Sequence, residues 1–183
     1  MRLFHSKAYV VCHFADKKIQ WNLSLHSADG RINMNLAIRD FVAADRENYL
    51  SLSKEFYQSR AVDHGVPEAF FSRTFDACMA KSPYTKGFVF TVDDETAGYA
   101  LISLTWSNEV GGICVLLEEA YILPPYQGKG IGSAFFAFVE KEYKNTARRF
   151  RLEVTPVNKE AINLYQRLGF SPLTYVQMTK DMV

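Results

Sequence analysis

Cysteine is scarce in this chain, and its three copies, Cys12, Cys78 and Cys114, form no C-x-x-C pair. That spacing excludes a zinc knuckle and a disulfide framework, and it points to reduced thiols in a cytoplasmic protein with no structural metal. Long apolar runs are missing too. None approaches the ~20 residues a bilayer-spanning helix needs, so no membrane partner is expected. The run AYVVCHFA at residues 8–15 is short and carries His13, with no small-residue cleavage site behind it, so it does not read as a secretory signal. The chain also lacks an excess of either charge, with 21 Lys/Arg against 20 Asp/Glu for a net +1. Residues 1–33 hold five basic against two acidic residues, leaving 16 against 18 in the remainder. The main body therefore has no basic stripe, and a nucleic-acid partner is excluded on that ground.

What remains is ample material for one packed domain. The 183 residues are 48% hydrophobic and 14% aromatic, enough for a single core and too short for two domains. Residues 1–33 differ in character from the rest of the chain. They carry His5, His13 and His26 and end in the turn-like SADGRIN. We read 34–183 as the domain and 1–33 as an extension of unknown role; an added hairpin or a start-site artefact both fit. After Met34 strands and helices alternate. A strand is expected over 35–41 and a helix over 43–60, with Asp45 and Glu47 in its first turn and Leu50, Phe56 and Tyr57 buried. Pro67 suits the first turn of the next helix, PEAFFSRTFDACMA. GFVFTV and AGYALISLTW read as a hairpin around Asp93–Thr96, and ICVLLEEAYIL as a long strand, with Cys114 in the core, ended by Pro124 and Pro125.

Ile131, Ala134, Phe135, Phe138 and Val139 then fall at i, i+3, i+4, i+7 and i+8, one buried helical stripe. RRFRLEVTP is a strand, NKEAINLYQRLG a helix closed by Gly169, and TYVQMTKDMV is strand-like. The strand–helix–strand run over 113–156 implies a parallel pair in a mixed sheet.

Between the long strand and the stripe lies QGKGIGSAFF, residues 127–136, with Gly128, Gly130 and Gly132 in five positions. Read plainly, the first two allow positive φ in a tight turn and the third allows close packing. A phosphate cradle is the competing use. No G-x-x-x-x-G-K-[ST] string exists. The dinucleotide fingerprint fails because Ser133 stands where its last glycine belongs. Glu153 mimics a ribose-binding acid, but only 51 residues follow Gly132, too few for the rest of that fold.

The spacing of Gln127, Gly130 and Gly132 instead resembles the [RQ]-x-x-G-x-[GA] loop of the Gcn5-related N-acetyltransferase (GNAT) family. A second block agrees: Val154, Asn158, Ala161, Leu164, Tyr165, Gly169 and Phe170 match V-x-x-x-N-x-x-A-x-x-L-Y-x-x-x-G-F. The likeness covers about residues 34–180. It implies an α/β fold with a central mixed sheet flanked by helices and a β-α-β cofactor core. It also implies acetyl-CoA as co-substrate and direct transfer to an amine. Gln127 replaces the commoner arginine, and the paired prolines depart mildly from the pattern.

The chemistry fits the residues. Glycines let backbone N–H groups of about 128–133 (Gly128, Lys129, Gly130, Ile131, Gly132, Ser133) approach a pyrophosphate at a helix N-terminus, with Gln127 and Lys129 as side-chain donors. By resemblance, the pantetheine arm lies beside Ile122 and Leu123, a backbone N–H near Ile122 stabilises the oxyanion, and Asn158 holds the cofactor arm. Asn158 also suits the N-cap of the following helix. An amine with pKa ~10.4 needs a base. Glu118 and Glu119 sit mid-strand among apolar residues, where alternation sends them to opposite faces. Glu118, nine positions before Gln127, is where family members acetylating small amines place a catalytic glutamate; Glu119 and a merely solvated face stay open. Tyr165 matches the family's general acid. The acceptor pocket is expected along the two early helices and their VDHGVP connection. Asp63 and His64 are candidates there, and Tyr57, Tyr84 and Trp106 are walls or, more simply, core. The expected partner is a small cationic amine; a protein or peptide amine, a non-catalytic acyl-CoA-binding role and homodimer formation stay open.

Overall fold

The strands lie side by side in chain order. The computed structural model describes residues 10–11, 20–26, 33–59, 62 and 65–182; Cys12, His5, His13, Asp63 and His64 lie outside them. Strands β1 (Val10–Val11), β2 (Gln20–His26), β3 (Asn33–Asp40), β4 (Thr85–Val92), β5 (Glu95–Ser107), β6 (Gly112–Ile122) and β7 (Ala147–Leu152) form one seven-stranded sheet in that order. Neighbours pair antiparallel down to β6, and β6 pairs parallel with β7. The β4–β5 turn is tight because Asp93 and Asp94 both accept positive φ, 49° and 69°, the requirement of a two-residue hairpin loop. Residues 20–26 pair with β3 along their length, and Leu23 is buried in the main core.

The helices are α1 (Arg46–Tyr57), α2 (Glu68–Met79), α3 (Ile131–Tyr143) and α4 (Lys159–Arg167), and they cover both faces. On one face α3 buries Ile131, Phe135, Phe138 and Val139 against Leu36, Ile38, Phe88, Phe90 and Val115; Ala134 is half-buried at the edge of this stripe. On the other, Tyr49, Leu52 and Phe56 of α1 and Phe71 and Phe75 of α2 pack on Val89, Tyr99 and Leu101. A strand covered twice reads as a continuous apolar run, which is why β4 contains GFVF rather than a clean alternation. Each fully buried large side chain contributes roughly 1.5–3 kcal/mol.

Asp45 does more than complement the helix dipole. It is 6% exposed, accepts two hydrogen bonds from the Arg39 guanidinium at 2.7 and 2.8 Å and one from the Val42 N–H at 2.7 Å. This ties β3 to the start of α1.

Two expectations are corrected. Residues 170–182 form neither helix nor strand. Their β propensity is real, but a strand exists only with a ladder partner, and the nearest edge, β7, does not pair with them. Tyr84 and Trp106 are not core; they are 72% and 68% exposed. Trp106 pairs with Ile113 at the start of β6, the end of the sheet away from the glycine loop, where none of the described helices covers it.

Candidate active site

The site begins where β7 leaves β6. Their pairing ends at Leu117 and Leu152, so the outer edge of β6 from Glu118 to Ile122 has no strand beside it. On the inner side, β5 opposes Leu101 to Glu119 but Ile102 to Leu117. Glu118 is therefore the extra residue of a β-bulge. At the far end of β6 the Leu123 N–H donates to the Ala97 carbonyl at 2.9 Å. Main-chain groups alternate in direction along a strand, so the Ile122 N–H turns toward the open edge. A close approach fixes this end: a Cβ on Gly98 would lie 2.1 Å from the Tyr121 carbonyl oxygen and 3.0 Å from the Ile122 Cα.

Beyond Leu123 the chain makes a single 3₁₀ turn, Pro124–Tyr126, closed by the Tyr126 N–H on the Leu123 carbonyl (2.9 Å). The Gln127 side chain turns back and donates from Nε2 to the Ile122 carbonyl at 2.8 Å. Its amide thus fastens the loop to the strand. The Lys129 ammonium lies 5.3 Å from the centre of the Tyr126 ring, a cation–π contact.

Gly128 and Gly130 adopt φ of 73° and 86°, and a Cβ on either would meet nothing within 4 Å. The turn needs their conformation, and the face they present is open. Gly130 caps α3, whose first intrahelical bond runs from the Ala134 N–H to the Gly130 carbonyl at 3.0 Å. The N–H groups of Ile131, Gly132 and Ser133 come before that bond and carry the partial positive charge of the helix start. Gly132 has the packing role: a Cβ there would come 3.3 Å from Leu164 of α4 and 3.9 Å from Ile122. Gly128 and Gly130 thus serve the turn and Gly132 the packing, and the start of α3 presents an open row of N–H groups.

The bulge overturns the expectation for the two glutamates. Glu118 accepts from Ser103 Oγ at 2.6 Å. Glu119 accepts from the Tyr57 hydroxyl at 2.8 Å and the Tyr99 hydroxyl at 2.6 Å. Ser103 lies two residues beyond Leu101 on β5, and Tyr99 and Leu101 belong to the α1/α2 face. Adding one residue at Glu118 shifts the alternation, so both carboxylates share that face. Glu118 is exposed and Glu119 half-buried. Burial raises the Glu119 carboxyl above its ordinary value, the Tyr99 and Tyr57 hydroxyls pull it back, and the Glu118 charge pushes it up. Burial first, and then Glu119, raise the Tyr57 and Tyr99 phenols. Beside them the Tyr121 hydroxyl donates to Glu55 at 3.0 Å. Tyr99, Ser103 and the bulge escape sequence reasoning. The lone glycine within AGYALISL is the available signal for the close approach.

α4 carries the second block. Asn158 Oδ1 accepts from the Ala161 N–H at 3.2 Å, so it is the N-cap, and its Nδ2 is not consumed by that bond. Tyr165 packs edge-on to Phe136 and Phe170, with ring centres 5.5 and 6.1 Å away, and burial raises its phenol. The structure thus brings Ile122, Leu123 and residues 127–133 into one turn, and Gly132 joins that turn to the helix holding Asn158 and Tyr165. Among the described residues no cluster of His, Cys, Asp and Glu is arranged to hold a metal, and no helix is long and apolar enough to cross a membrane.

Known proteins share this fold. The chain is 40% identical over 77 residues to the thialysine N-epsilon-acetyltransferase of Mus musculus, a match covering 42% of this chain and 43% of that protein. It spans less than half the length of that relative. The fold superposes on a possible acetyltransferase from Clostridium difficile 630 with a TM-score of 0.69 at 17% identity, covering 81% of this chain and 98% of the other. It also superposes on an aminoglycoside N-acetyltransferase solved in complex with CoA, with a TM-score of 0.68 at 18% identity, covering 84% and 99%. The mixed sheet and its helices are those of GNAT acetyltransferase structures. Residues 47–170, from the start of α1 through the Phe170 that ends the second block, match the acetyltransferase (GNAT) family, and the chain belongs to that family.

Proposed function

We propose that this chain transfers an acetyl group from acetyl-CoA directly to the primary amine of a small cationic molecule in the cytoplasm. The observation that carries the reading is the pairing, on one strand, of an open N–H cradle after Leu123 with two carboxylates on the α1/α2 face. Acetyl-CoA supplies the thioester. The N–H groups of residues 128–133 would bind its pyrophosphate, the open β6 edge at Ile122 and Leu123 its pantetheine arm, and Asn158 Nδ2 adds a donor. Gln127 and Lys129 hold and flank the loop.

Glu118, exposed and oriented by Ser103, takes the proton of the incoming ammonium, directly or through water. Glu119 lies deeper and adds negative charge that favours a cationic acceptor. The Ile122 N–H faces the open edge, where an oxyanion would need a donor. Tyr165, kept protonated by burial, gives a proton to the departing thiolate. Holding amine and thioester together supplies much of the acceleration, an effect worth up to ~7–11 kcal/mol. The thialysine and aminoglycoside acetyltransferases to which the chain is similar support a small amine.

The test is release of free CoA thiol from acetyl-CoA against polyamines, amino acids, aminoglycosides and lysine or N-terminal peptides. A small-amine hit, reduced in Glu118→Gln and in Tyr165→Phe, supports the assignment. Turnover of peptides alone moves the acceptor to a protein amine. Tight acetyl-CoA binding with no turnover across the panel would leave a non-catalytic acyl-CoA-binding module.

A further inference from the structure

Helix α1 meets β6 at two points, one on either side of Phe56. The Tyr57 hydroxyl donates to Glu119 at 2.8 Å, and two residues earlier Glu55 accepts from the Tyr121 hydroxyl at 3.0 Å. Glu119 and Tyr121 are alternate residues of β6, so both contacts lie on the α1/α2 face. The Phe56 ring sits between them, its centre 5.2 Å from that of Tyr57 and 6.2 Å from that of Tyr121. Three carboxylates thus line one strip of this face: Glu118 and Glu119 at the bulge, and the exposed Glu55 at the end nearer Leu123.

Each carboxylate is held by neutral hydroxyls. Ser103 orients Glu118, Tyr57 and Tyr99 hold Glu119, and Tyr121 holds Glu55. Burial first, and then Glu55, raise the Tyr121 phenol and keep it a neutral donor. A hydroxyl fixes a carboxylate in place without cancelling its charge. The cations of α1 are engaged elsewhere: Arg46 is bound to Asp76 and Lys54 to Glu68, both on α2. Among the described residues no lysine or arginine pairs with any of the three. One ammonium answers the carboxylates at the bulge, and Glu55 is left over.

We propose that Glu55 receives a second cation of the acceptor, so that the preferred substrate is a linear diamine with one amine at Glu118 and the other at Glu55. This rests on the transferase reading above and adds what selects the acceptor. Glu118 and Tyr121 stand three residues apart, ~10 Å along a regular strand and less across a bulge. An extended chain gains ~1.2 Å per bond, so a spacer of about four to six methylenes joins the two ammonium positions, its apolar middle passing the aromatic rings. The second cation also limits the reaction to one round. As the N–C bond forms and the C–S bond breaks, the reacting ammonium loses two protons, one to Glu118 and one, through Tyr165, to the departing sulfur. The product keeps a single charge. Turned round, it would set an uncharged amide against Glu55, so a symmetrical diamine is acetylated once.

The test is release of CoA thiol with a series of α,ω-diamines and with monoamines of matched length, the products identified by mass spectrometry. Calorimetric titration of the same amines into the CoA-loaded protein runs beside it. The expected result is a kcat/KM for the best diamine at least about fivefold above its matched monoamine, the scale of a partly exposed ion pair. That ratio falls to near one in Glu55→Gln, whose unchanged melting checks the fold, and only the mono-acetylated product forms. Glu55→Asp keeps the preference and moves the best spacer to a longer one, because its carboxylate is drawn back by one methylene. Equal use of diamine and monoamine, a preference unchanged in Glu55→Gln, or ready double acetylation would overturn the proposal and leave the transferase standing. If no amine is turned over, the transferase reading fails by itself. Diamine binding weakened at least about fivefold in Glu55→Gln would then still support the second-cation site, and binding indifferent to the substitution would overturn it.

Discussion

Replacing Gly98 by alanine tests whether the cofactor edge depends on the close approach of β5 and β6. The new Cβ would stand 2.1 Å from the Tyr121 carbonyl oxygen, whereas a carbon rests no closer than ~3.3 Å to such an oxygen. The end of β6 must therefore retreat by about 1.2 Å, and both atoms in the way are backbone, which cannot rotate aside. Overpacking of this kind costs ~1–3 kcal/mol, and for a chain of this size each kcal/mol lowers Tm by ~2–4 °C. The displaced segment carries Ile122 and leads into the Leu123 turn. On the proposed binding mode, loss of two main-chain hydrogen bonds to acetyl-CoA, at ~0.5–1.5 kcal/mol each, weakens binding by about tenfold, at ~1.4 kcal/mol per factor of ten. Calorimetric titration with acetyl-CoA and a melting curve measure both effects. Gly65→Ala is the control, since a Cβ at Gly65 meets nothing within 4 Å and an exposed substitution of this kind stays within ~0.5 kcal/mol. If Gly98→Ala melts and binds like wild type, the strand contact does not position the cofactor edge.

Substitutions at three further positions separate roles that the site combines. Gly130→Ala has room for its Cβ but must hold φ near 86°, so it costs ~1–2 kcal/mol in backbone strain alone and weakens acetyl-CoA binding; wild-type affinity would remove the loop from the cofactor site. Asn158→Asp keeps the cap on the Ala161 N–H and loses the Nδ2 donor, so Tm stays while acetyl-CoA affinity falls, whereas Asn158→Ala loses ~1 kcal/mol of cap as well; equal binding by wild type and Asn158→Asp would leave the cap as the sole role. For Glu119, burial favours the protonated form in the folded chain. Its contribution to stability is therefore full below the ordinary carboxylate range and is lost as pH rises through the raised folded-state value. Glu119→Gln carries no such proton, so relative to wild type it gains stability between acid and neutral pH; urea midpoints that move in parallel for both proteins would refute this.

Local chemistry along the chain was enough to mark the elements and the glycine turn that starts α3. Periodicity picked out the α3 stripe and spacing picked out Gly128, Gly130 and Gly132, because turn dihedrals, helix starts and the 3.6-residue repeat are local properties. Asn158 as a cap was legible for the same reason. The direction in which the glutamates face, by contrast, came from long-range register. Alternation within VLLEEAYIL gives opposite faces, but the bulge exists only in the pairing between β5 and β6, which no single strand encodes. Tyr84 and Trp106 were misjudged likewise, since burial depends on which helix reaches which end of the sheet. The terminal TYVQMTKDMV has a strand's residues and no strand's hydrogen bonds: propensity is written in the segment, whereas the partner edge belongs to another part of the fold.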